Sequence, residues 1–322
     1  MSTIEARRSA AVVGALVADA AAEPLHWIYN DDTLKSIING KEEIEFLTPS
    51  SNPFYEVETG EQSCYGDQEL VILRSLVANK GIDLAAMKKT LFDVFGPGSV
   101  YEKAVQEKEK TGAKRLKGPY RNGCVREFLQ KYSEGKTNTG SDTDDQMDCV
   151  IRSIPVVALY AGKADMLQKV EDFVKISHNT PVAVSCALSS ARLLEYYIVH
   201  GKSPDAVEQT ASKLSDDQAG KLRAVLQKKD TPHNDVAKAF GRACTVPGAW
   251  QTAVHAIINA TDFIGPVRTT SRAGGGNCSR SGYIGACMAA QYGLDSIPES
   301  WRSRTNHYKE IKNLADELVK LM

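Results

Sequence analysis

Residues 4–22 have the sequence IEARRSAAVVGALVADAAA, in which small and apolar side chains recur at helical spacing. This spacing predicts a single helix over residues 4–22. Gly14, Ala15, Ala18 and Ala22 carry little or no side chain, and the distance between packed helices depends on the side chains at their contact. A neighbouring helix can therefore approach this one closely, and we expect it to lie at the centre of the fold.

Helical periodicity recurs along the rest of the chain, whereas the alternation typical of strands hardly appears. The sequence predicts an all-α fold in one domain over residues 1–322, because no linker interrupts it. Residues 30–63, rich in Thr, Ser, Asn and Pro, are predicted to form a long loop, and such loops often cover sites. Further helices are predicted at 67–79, 83–95, 121–132, 144–161, 164–177, 181–200, 204–214, 216–227, 233–243, 248–261, 278–292 and 307–321.

The composition excludes several classes of protein. The 322 residues include 39 basic and 40 acidic side chains, which gives a net charge of -1. Because no dense cluster of Lys and Arg is present, nucleic-acid binding is not expected. No run of about 18 uninterrupted apolar residues is present, so no membrane span is expected. The mixed charges of residues 102–117 predict a solvated helix and loop.

The seven cysteines are odd in number, scattered and without a CxxC pair. This usage is typical of a reduced, cytoplasmic protein, and a structural zinc site is not expected. Arg7 and Arg8 precede an apolar run, as in a signal peptide. That run is weakly hydrophobic and leads directly into charged residues and Pro24, so cleavage is not expected.

Three segments carry motifs that bear on chemistry: GALVADAAAEPLHW at 14–27, SCYGDQE at 63–69, and AGGGNCSR at 273–280 followed by Gly285-Ala286. Together they resemble the ADP-ribosylglycohydrolase family, whose members carry GAxxGDAxGxPxEW, then a TDDT turn, then GGDTDTxxxxxGA. The order and intervals agree, and residues 177–183 are similar to the family's THxxPxA. The resemblance covers nearly the whole chain and implies a compact, orthogonal multi-helix domain.

The resemblance also implies a site for two magnesium ions, held between the early and late turns. Magnesium requires hard oxygen ligands. The early TDDT falls on Gly66, Asp67, Gln68 and Glu69, and the late DTDT on Gly276, Asn277, Cys278 and Ser279. Asp67 is then the one aspartate kept and the residual candidate metal ligand, so we expect no magnesium cofactor and no catalytic residue. Arg280 is expected to lie opposite Asp67 and replace part of the lost positive charge.

The expected result is a vestigial cleft. Its predicted residues are Asp19, Tyr65, Gly66, Asp67, Gln68, Asp144, Asp145, Asp148, Gly275, Gly276, Asn277, Cys278 and Arg280.

Several of these residues have more than one interpretation. Asp144 and Asp148 share a face of a predicted helix start. There the two carboxylates either interact favourably with the helix dipole, with Thr143 as the N-cap, or contact a ligand. Residues 274–276 could cradle a phosphate at a helix start. Asp19 could be a buried, paired acid, whereas His26 and His178 are interpreted as structural histidines.

Within the family, the chain resembles the J-type crystallins of jellyfish lenses. This implies a soluble structural protein in the cytoplasm of lens cells, without catalytic activity. Residual binding of ADP-ribose and self-association at high concentration remain open at this stage. The alternative is an active glycohydrolase or an ADP-ribose-binding protein that uses Asp67, Asp144, Asp145 and Asp148.

Overall fold

Helices supply nearly all the regular structure of residues 3–321, the part of the chain that the computed structural model describes. The all-α prediction is confirmed. Two short strands, β1 (Tyr55–Glu56) and β2 (Leu116–Lys117), pair in parallel. The helices are α1 (Ile4–Ala22), α2 (Asp31–Ile38), α3 (Cys64–Ala78), α4 (Leu84–Phe95), α5 (Val100–Thr111), α6 (Gly123–Ser133), α7 (Asp148–Ile151), α8 (Ile154–Tyr160), α9 (Met166–Val174), α10 (Pro181–His200), α11 (Ala206–Ala211), α12 (Asp216–Gln227), α13 (His233–Phe240), α14 (Gly248–Ile258), α15 (Ile264–Arg272), α16 (Asn277–Tyr292), α17 (Glu299–Arg304) and α18 (Tyr308–Val319).

Helix α1 lies at the centre of the fold, as its sequence predicts. Every residue from Arg8 to Ala22 is buried, and α16 packs along much of its length. A Cβ atom at Gly14 would lie 2.4 Å from the Gly285 carbonyl oxygen, and one at Gly285 would lie 2.2 Å from the Gly14 carbonyl oxygen. Only glycine fits both positions, so this pair sets the distance between the two helices.

The single helix predicted over residues 144–161 is wrong. The structure has α7 and α8 instead, preceded by an irregular segment. The Ser141 hydroxyl accepts hydrogen bonds from the N–H groups of Thr143 (3.2 Å) and Asp144 (2.9 Å), and such local bonds compete with helix formation. Pro155 then occupies the first turn of α8, where its missing N–H costs nothing. Thr143 is therefore not an N-cap, and the face that Asp144 and Asp148 were expected to share does not form.

The segment at 30–63 is also more ordered than predicted. It contains α2, which begins where the Asn30 side chain accepts a hydrogen bond from the Thr33 N–H group at 2.8 Å, and β1. Helices α15 and α17 are further elements that the sequence pattern does not predict. Gly265 and Pro266 interrupt the apolar spacing of α15. Pro266 falls in its first turn, where proline is tolerated.

Helix α10 is long and apolar enough, by length and composition alone, to cross a membrane. It packs against α7, α8, α9, α11 and α16. A core helix of a soluble protein passes the same test.

Candidate functional site

A cleft of about 480 Å³ opens beside the irregular segment before α7. Two of the predicted site residues, Asp144 and Asp145, line it. The complete lining consists of Trp27, Tyr29, Gly123, Glu127, Ser141, Thr143, Asp144, Asp145, Gln146, Ala243, Cys244 and Thr245.

Backbone pairing between two loops holds the walls of the cleft in place. The Met147 N–H donates to the Cys244 carbonyl at 2.8 Å, and the Val246 N–H donates to the Asp145 carbonyl at 2.9 Å. From α3, the Tyr65 hydroxyl lies 3.3 Å from Gln146 Oε1. Tyr65 therefore supports the cleft from below, while Asp144 and Asp145 face it.

A cluster of buried side chains lies behind Asp144, which lines the cleft. Cys124 near the start of α6, Asp148 at the start of α7 and His178 between α9 and α10 place their donor atoms within 4.8 Å of one another. His178 Nε2 lies 3.2 Å from Asp148 Oδ1, and the Cys124 thiol donates to Asp148 Oδ2 at 2.7 Å. These atoms could hold a metal ion, so the expectation that the chain binds no metal stays a prediction.

The two aspartates of this region differ in their preferred charge. Burial raises the pKa of Asp144, and the neighbouring Asp148 carboxylate raises it further. Burial acts on Asp148 in the same direction, but the charge and hydrogen bond of His178, the Cys124 hydrogen bond and the charge of Arg152 outweigh it and lower the pKa of Asp148. Asp148 is therefore the stable anion, and Asp144 keeps its proton more readily.

Gln68 connects this cluster to α3 through a buried network of hydrogen bonds. Its amide nitrogen donates to Asn122 Oδ1 at 2.8 Å, and its carbonyl oxygen accepts from Arg152 Nη1 at 3.0 Å. Asn122 in turn donates to Asp148 Oδ2 at 2.7 Å. A neutral amide here satisfies partners of both kinds, which a carboxylate could not do.

Asp67 is adjacent in sequence but does not line the cleft. Desolvation raises the pKa of its carboxyl group to about 8, although the Tyr101 side chain hydrogen-bonds to it and Arg74 lies nearby. Asp67 and the acidic residues of the cleft are thus placed in separate environments.

Asp19 is a buried acid with both oxygens paired. It accepts hydrogen bonds from the Ser63 N–H at 2.7 Å and the Ser63 hydroxyl at 2.6 Å. Burial raises its pKa to about 7, against the effect of these bonds. A Cβ atom at Gly66 would lie 2.4 Å from Asp19 Oδ2, so Gly66 leaves room for the carboxylate.

The glycine turn at 274–276 joins protein segments together. The N–H groups of Gly274, Gly275 and Gly276 donate to the carbonyl groups of Ser271 (3.0 Å), Ile28 (2.8 Å) and Arg242 (2.8 Å). Gly274 and Gly275 have φ values of +71° and +69°, which favour glycine. Because these donors are occupied, the turn does not offer them to a phosphate, and that hypothesis is wrong.

Arg280 is fully buried but does not lie opposite Asp67, contrary to expectation. Its guanidinium donates to the hydroxyl and carbonyl of Thr270 and to the carbonyls of Arg242 and Gly274. Burial lowers its pKa to about 10. Arg280 therefore bonds the glycine turn to α15 instead of replacing a metal charge.

The side chains next to this turn are buried and largely satisfied. Asn277 Oδ1 lies 3.0 Å from His26 Nδ1, and Asn277 Nδ2 donates to the Ala22 carbonyl at 3.1 Å. Burial lowers the pKa of His26 to about 3 and raises the pKa of the Cys278 thiol. Cys278 is thus held as a neutral thiol, which is a poor nucleophile.

Of the four aspartates in the family's two turn motifs only Asp67 is present, although the early turn also carries Glu69. The late turn offers no carboxylate, and its Ser279 hydroxyl donates to the Gly276 carbonyl at 3.0 Å. The buried thiol of Cys278 stands at a position to which the family motif gives an aspartate, a hard oxygen ligand. No reaction step through magnesium can be derived from these residues.

Sequence reasoning missed Cys124, Asn122 and Arg152 as parts of the site, and it favoured a structural role for His178 over a catalytic one. The similarity of residues 177–183 to the family motif was the available signal. Cys124 and Asn122 carry no motif, and only the tertiary fold brings them to Asp148.

Comparisons with known proteins find similarity along the whole chain. The family model for ADP-ribosylglycohydrolase matches residues 1–322. Crystallin J1A of Tripedalia cystophora is 37% identical over 317 residues, which cover 98% of this chain and 97% of that protein. Crystallin J1B of the same organism is 33% identical over 320 residues, covering 99% and 98%.

Two further matches are more distant. The ADP-ribosyl-[dinitrogen reductase] glycohydrolase of Rhodospirillum rubrum is 24% identical over 207 residues, covering 62% of this chain and 65% of that protein. A solved structure of an ADP-ribosylglycohydrolase-related protein complex covers 100% of this chain and 99% of its own, with a TM-score of 0.71 at 19% identity. At that identity the likeness bears on the fold alone.

Proposed function

Because the chain belongs to the ADP-ribosylglycohydrolase family, we propose that it is a crystallin, a structural protein of lens cells, derived from that family and without its hydrolase activity. The two most similar relatives described above are both crystallins, and each matches this chain over nearly its full length. Their names support the lens role, and the chemistry of the turns supports the loss of activity.

One observation carries the loss of activity: Gly276 and Cys278 stand at the aspartate positions of the late turn. A Cβ atom at Gly276 would lie 2.7 Å from Cys244 Sγ, so an aspartate would not fit at this position unless Cys244 moved. A bound metal ion stabilises developing charge by several kcal/mol, and each 1.36 kcal/mol changes a rate about tenfold. A chain that lacks most of the magnesium ligands should therefore be slower than a working hydrolase by roughly two to four orders of magnitude.

The placement of the cysteines also suits a long-lived protein. All seven are free and buried, and thiol oxidation depends on exposure and on thiolate character. Within residues 3–321, the large apolar side chains with substantial exposure are Tyr29, Phe54, Leu84 and Val100. Tyr29 and Phe54 lie beside the cleft, whereas the other two are isolated, and scattered apolar residues are compatible with solubility at high concentration.

The lens role is tested by measuring where the protein accumulates. Quantitative proteomics of dissected tissues should find it among the major soluble proteins of the lens, in the cytoplasm of lens cells. Trace amounts in the lens together with higher amounts elsewhere would overturn the proposal.

Magnesium gives a second test, on the purified protein. We expect millimolar magnesium to leave the melting temperature unchanged, because the late turn has no carboxylate ligands. A bound ion at a hundredfold excess over its Kd would instead stabilise the fold by about 2.7 kcal/mol. A magnesium-dependent rise that Asp67→Ala abolishes would show that the metal site persists.

Binding of ADP-ribose without hydrolysis is a second candidate function, favoured by the open cleft. Trp27 and Tyr29 offer aromatic surface beside the polar wall at Asp144 and Asp145. Titration with ADP-ribose, followed by tryptophan fluorescence, tests it. Saturable binding that Asp144→Asn and Asp145→Asn alter would support the candidate, and no binding at millimolar ligand would remove it.

A further inference from the structure

The buried cluster behind Asp144 contains a thiol, an imidazole and a carboxylate that neither the lens role nor magnesium chemistry uses. Cys124 Sγ, a His178 ring nitrogen and an Asp148 oxygen lie within 4.8 Å of one another, and all three residues are buried. We propose that these side chains bind a zinc-type divalent cation, with the Asp144 carboxylate as fourth ligand. Thiolate, imidazole and carboxylate are the donors that zinc takes in proteins, usually four in a tetrahedron.

The distances suit a small tetrahedral ion. Two ligands with bonds of about 2.0 Å to zinc lie about 3.3 Å apart when the coordination is tetrahedral. His178 Nε2 and Asp148 Oδ1 are separated by 3.2 Å. Asp144 Oδ1 lies 3.9 Å from the same nitrogen, and the Asp144 side chain is 8% exposed where it lines the cleft. An ion can therefore reach the buried cluster from the cleft past Asp144.

Ser177 offers His178 a hydrogen-bond partner on the ring nitrogen that faces away from Asp148. The Ser177 hydroxyl lies 2.9 Å from His178 Nδ1 and donates to the Val174 carbonyl at 3.4 Å. With its hydrogen used in that way, Ser177 would accept from Nδ1–H when an ion is bound, which leaves the Nε2 lone pair to bind that ion. A metal-binding histidine normally has such a second partner on its other nitrogen.

The charges around the cluster balance when zinc is bound. Zinc binding would replace the Cys124 thiol proton, leaving a thiolate beside the carboxylates of Asp148 and Asp144. Arg152 Nη1 lies 4.0 Å from Cys124 Sγ. The three negative charges then equal the sum of the zinc and guanidinium charges, so no net charge is buried.

Neighbouring side chains already hold the ligands in orientation. Asn122 donates to Asp148 Oδ2, which leaves Oδ1 for the ion. The Cys124 N–H donates to the Asp144 side chain and keeps that carboxylate near the cluster. Outer hydrogen bonds of this kind typically change metal affinity by about 10- to 100-fold when they are removed.

Cobalt tests the proposal because it binds zinc sites and gives visible and near-ultraviolet absorption. The purified full chain, freed of metal with a chelator, should bind about one cobalt ion per molecule. It should then show a thiolate-to-cobalt charge-transfer band and the visible bands of a tetrahedral ion, and zinc should displace both. Magnesium should have no such effect.

Variants assign the bands to the cluster. Cys124→Ser removes a ligand and should lose the charge-transfer band. It should bind zinc at least about 100-fold more weakly, because the loss of an outer hydrogen-bond partner already weakens binding by about 10- to 100-fold. Ser177→Ala keeps every ligand and should weaken zinc binding by about tenfold. Cys186→Ser changes another buried cysteine, on α10, and should behave as the unmodified protein does.

Either of two results would overturn the proposal. One is the absence of stoichiometric cobalt or zinc binding to the folded, unmodified protein. The other is a charge-transfer band that persists in Cys124→Ser. Should Cys124→Ser fail to fold, the unmodified protein and Ser177→Ala still decide the matter. These readouts are independent of tissue abundance and of hydrolysis, so the zinc site and the lens role can fail separately.

Discussion

Desolvation governs the charge of several single residues in this protein. It raises the pKa of Asp19 to about 7 and those of Glu23 and Asp67 to about 8. The unfolded chain loses these protons near pH 4, whereas the folded chain keeps them up to pH 7 or 8. The folded state therefore binds more protons in this window, and its stability should fall as the pH rises from about 5 to 8.

Glu23→Gln should reduce this pH dependence. Glu23 Oε1 accepts from Asn52 at 3.2 Å, and its Oε2 has no partner, so a neutral amide keeps the bond and removes the buried charge. One proton held over the three pH units from 5 to 8 corresponds to about 4 kcal/mol, which is the upper limit of the gain at pH 8 relative to pH 5. Urea unfolding at several pH values measures it. The same change at the exposed Glu109 should leave the profile unaltered, and equal profiles for Glu23→Gln and the unmodified protein would contradict the prediction.

Arg280→Met should destabilise the fold by about 3 kcal/mol or more. The substitution removes the hydrogen bonds that the guanidinium donates to Thr270, Arg242 and Gly274 and leaves the Gly274 carbonyl without a donor. A hydrogen bond to a charged group contributes about 1.5–3 kcal/mol, and an unsatisfied buried acceptor costs about 1–3 kcal/mol. Chemical denaturation tests this against Arg223→Met, which removes a half-exposed ion pair with Glu208 and should cost less than about 1 kcal/mol. Similar losses in the two variants would show that Arg280 has no such structural role.

At the scale of secondary-structure elements, the contact between α1 and α16 is the feature most sensitive to added volume. Gly14→Ala places a methyl group against the Gly285 carbonyl and the Ala289 side chain. Overpacking of this kind costs about 1–3 kcal/mol and occasionally more, and we expect the upper end because backbone must move.

Gly220→Ala is the matched control for this prediction. It lies in the exposed part of α12, and a Cβ atom there meets nothing within 4 Å. The change should stabilise the protein by about 0.5–1 kcal/mol, because alanine favours the helix. Opposite shifts in melting temperature are expected for the two variants. A stabilised Gly14→Ala would contradict the account of the helix contact.

The sequence could predict those helices whose small and apolar residues recur at a regular helical spacing. Helix α1 was predicted with its observed ends, because its small and apolar residues keep one spacing throughout. The segment before α7 could not be predicted, because its conformation depends on the Ser141 hydroxyl and on pairing with the loop at 244–246. Pairing between distant loops leaves no periodic signal in sequence.

In the whole molecule, motif order identified the family, but motif positions did not show which side chains face each other. Asp67 and Arg280 were expected to face each other, yet their partners lie in different parts of the fold. Cys124, Asp148 and His178 meet only after α6, α7 and the α9–α10 connection have packed. Which side chains share a cavity is decided by tertiary contacts, so the cluster could not be found from residue spacing.

Hydrolysis by the unmodified protein decides whether the family's activity has been lost. Arginine-linked and serine-linked ADP-ribosylated substrates are incubated with it and magnesium, beside an active metal-dependent family enzyme, and released ADP-ribose is quantified. We predict no magnesium-dependent release above background, because Gly276 and Cys278 leave the late turn without carboxylates. Robust magnesium-dependent release at an enzyme-like rate would contradict the account and would point to Asp144, Asp145 and Asp148 as replacement ligands.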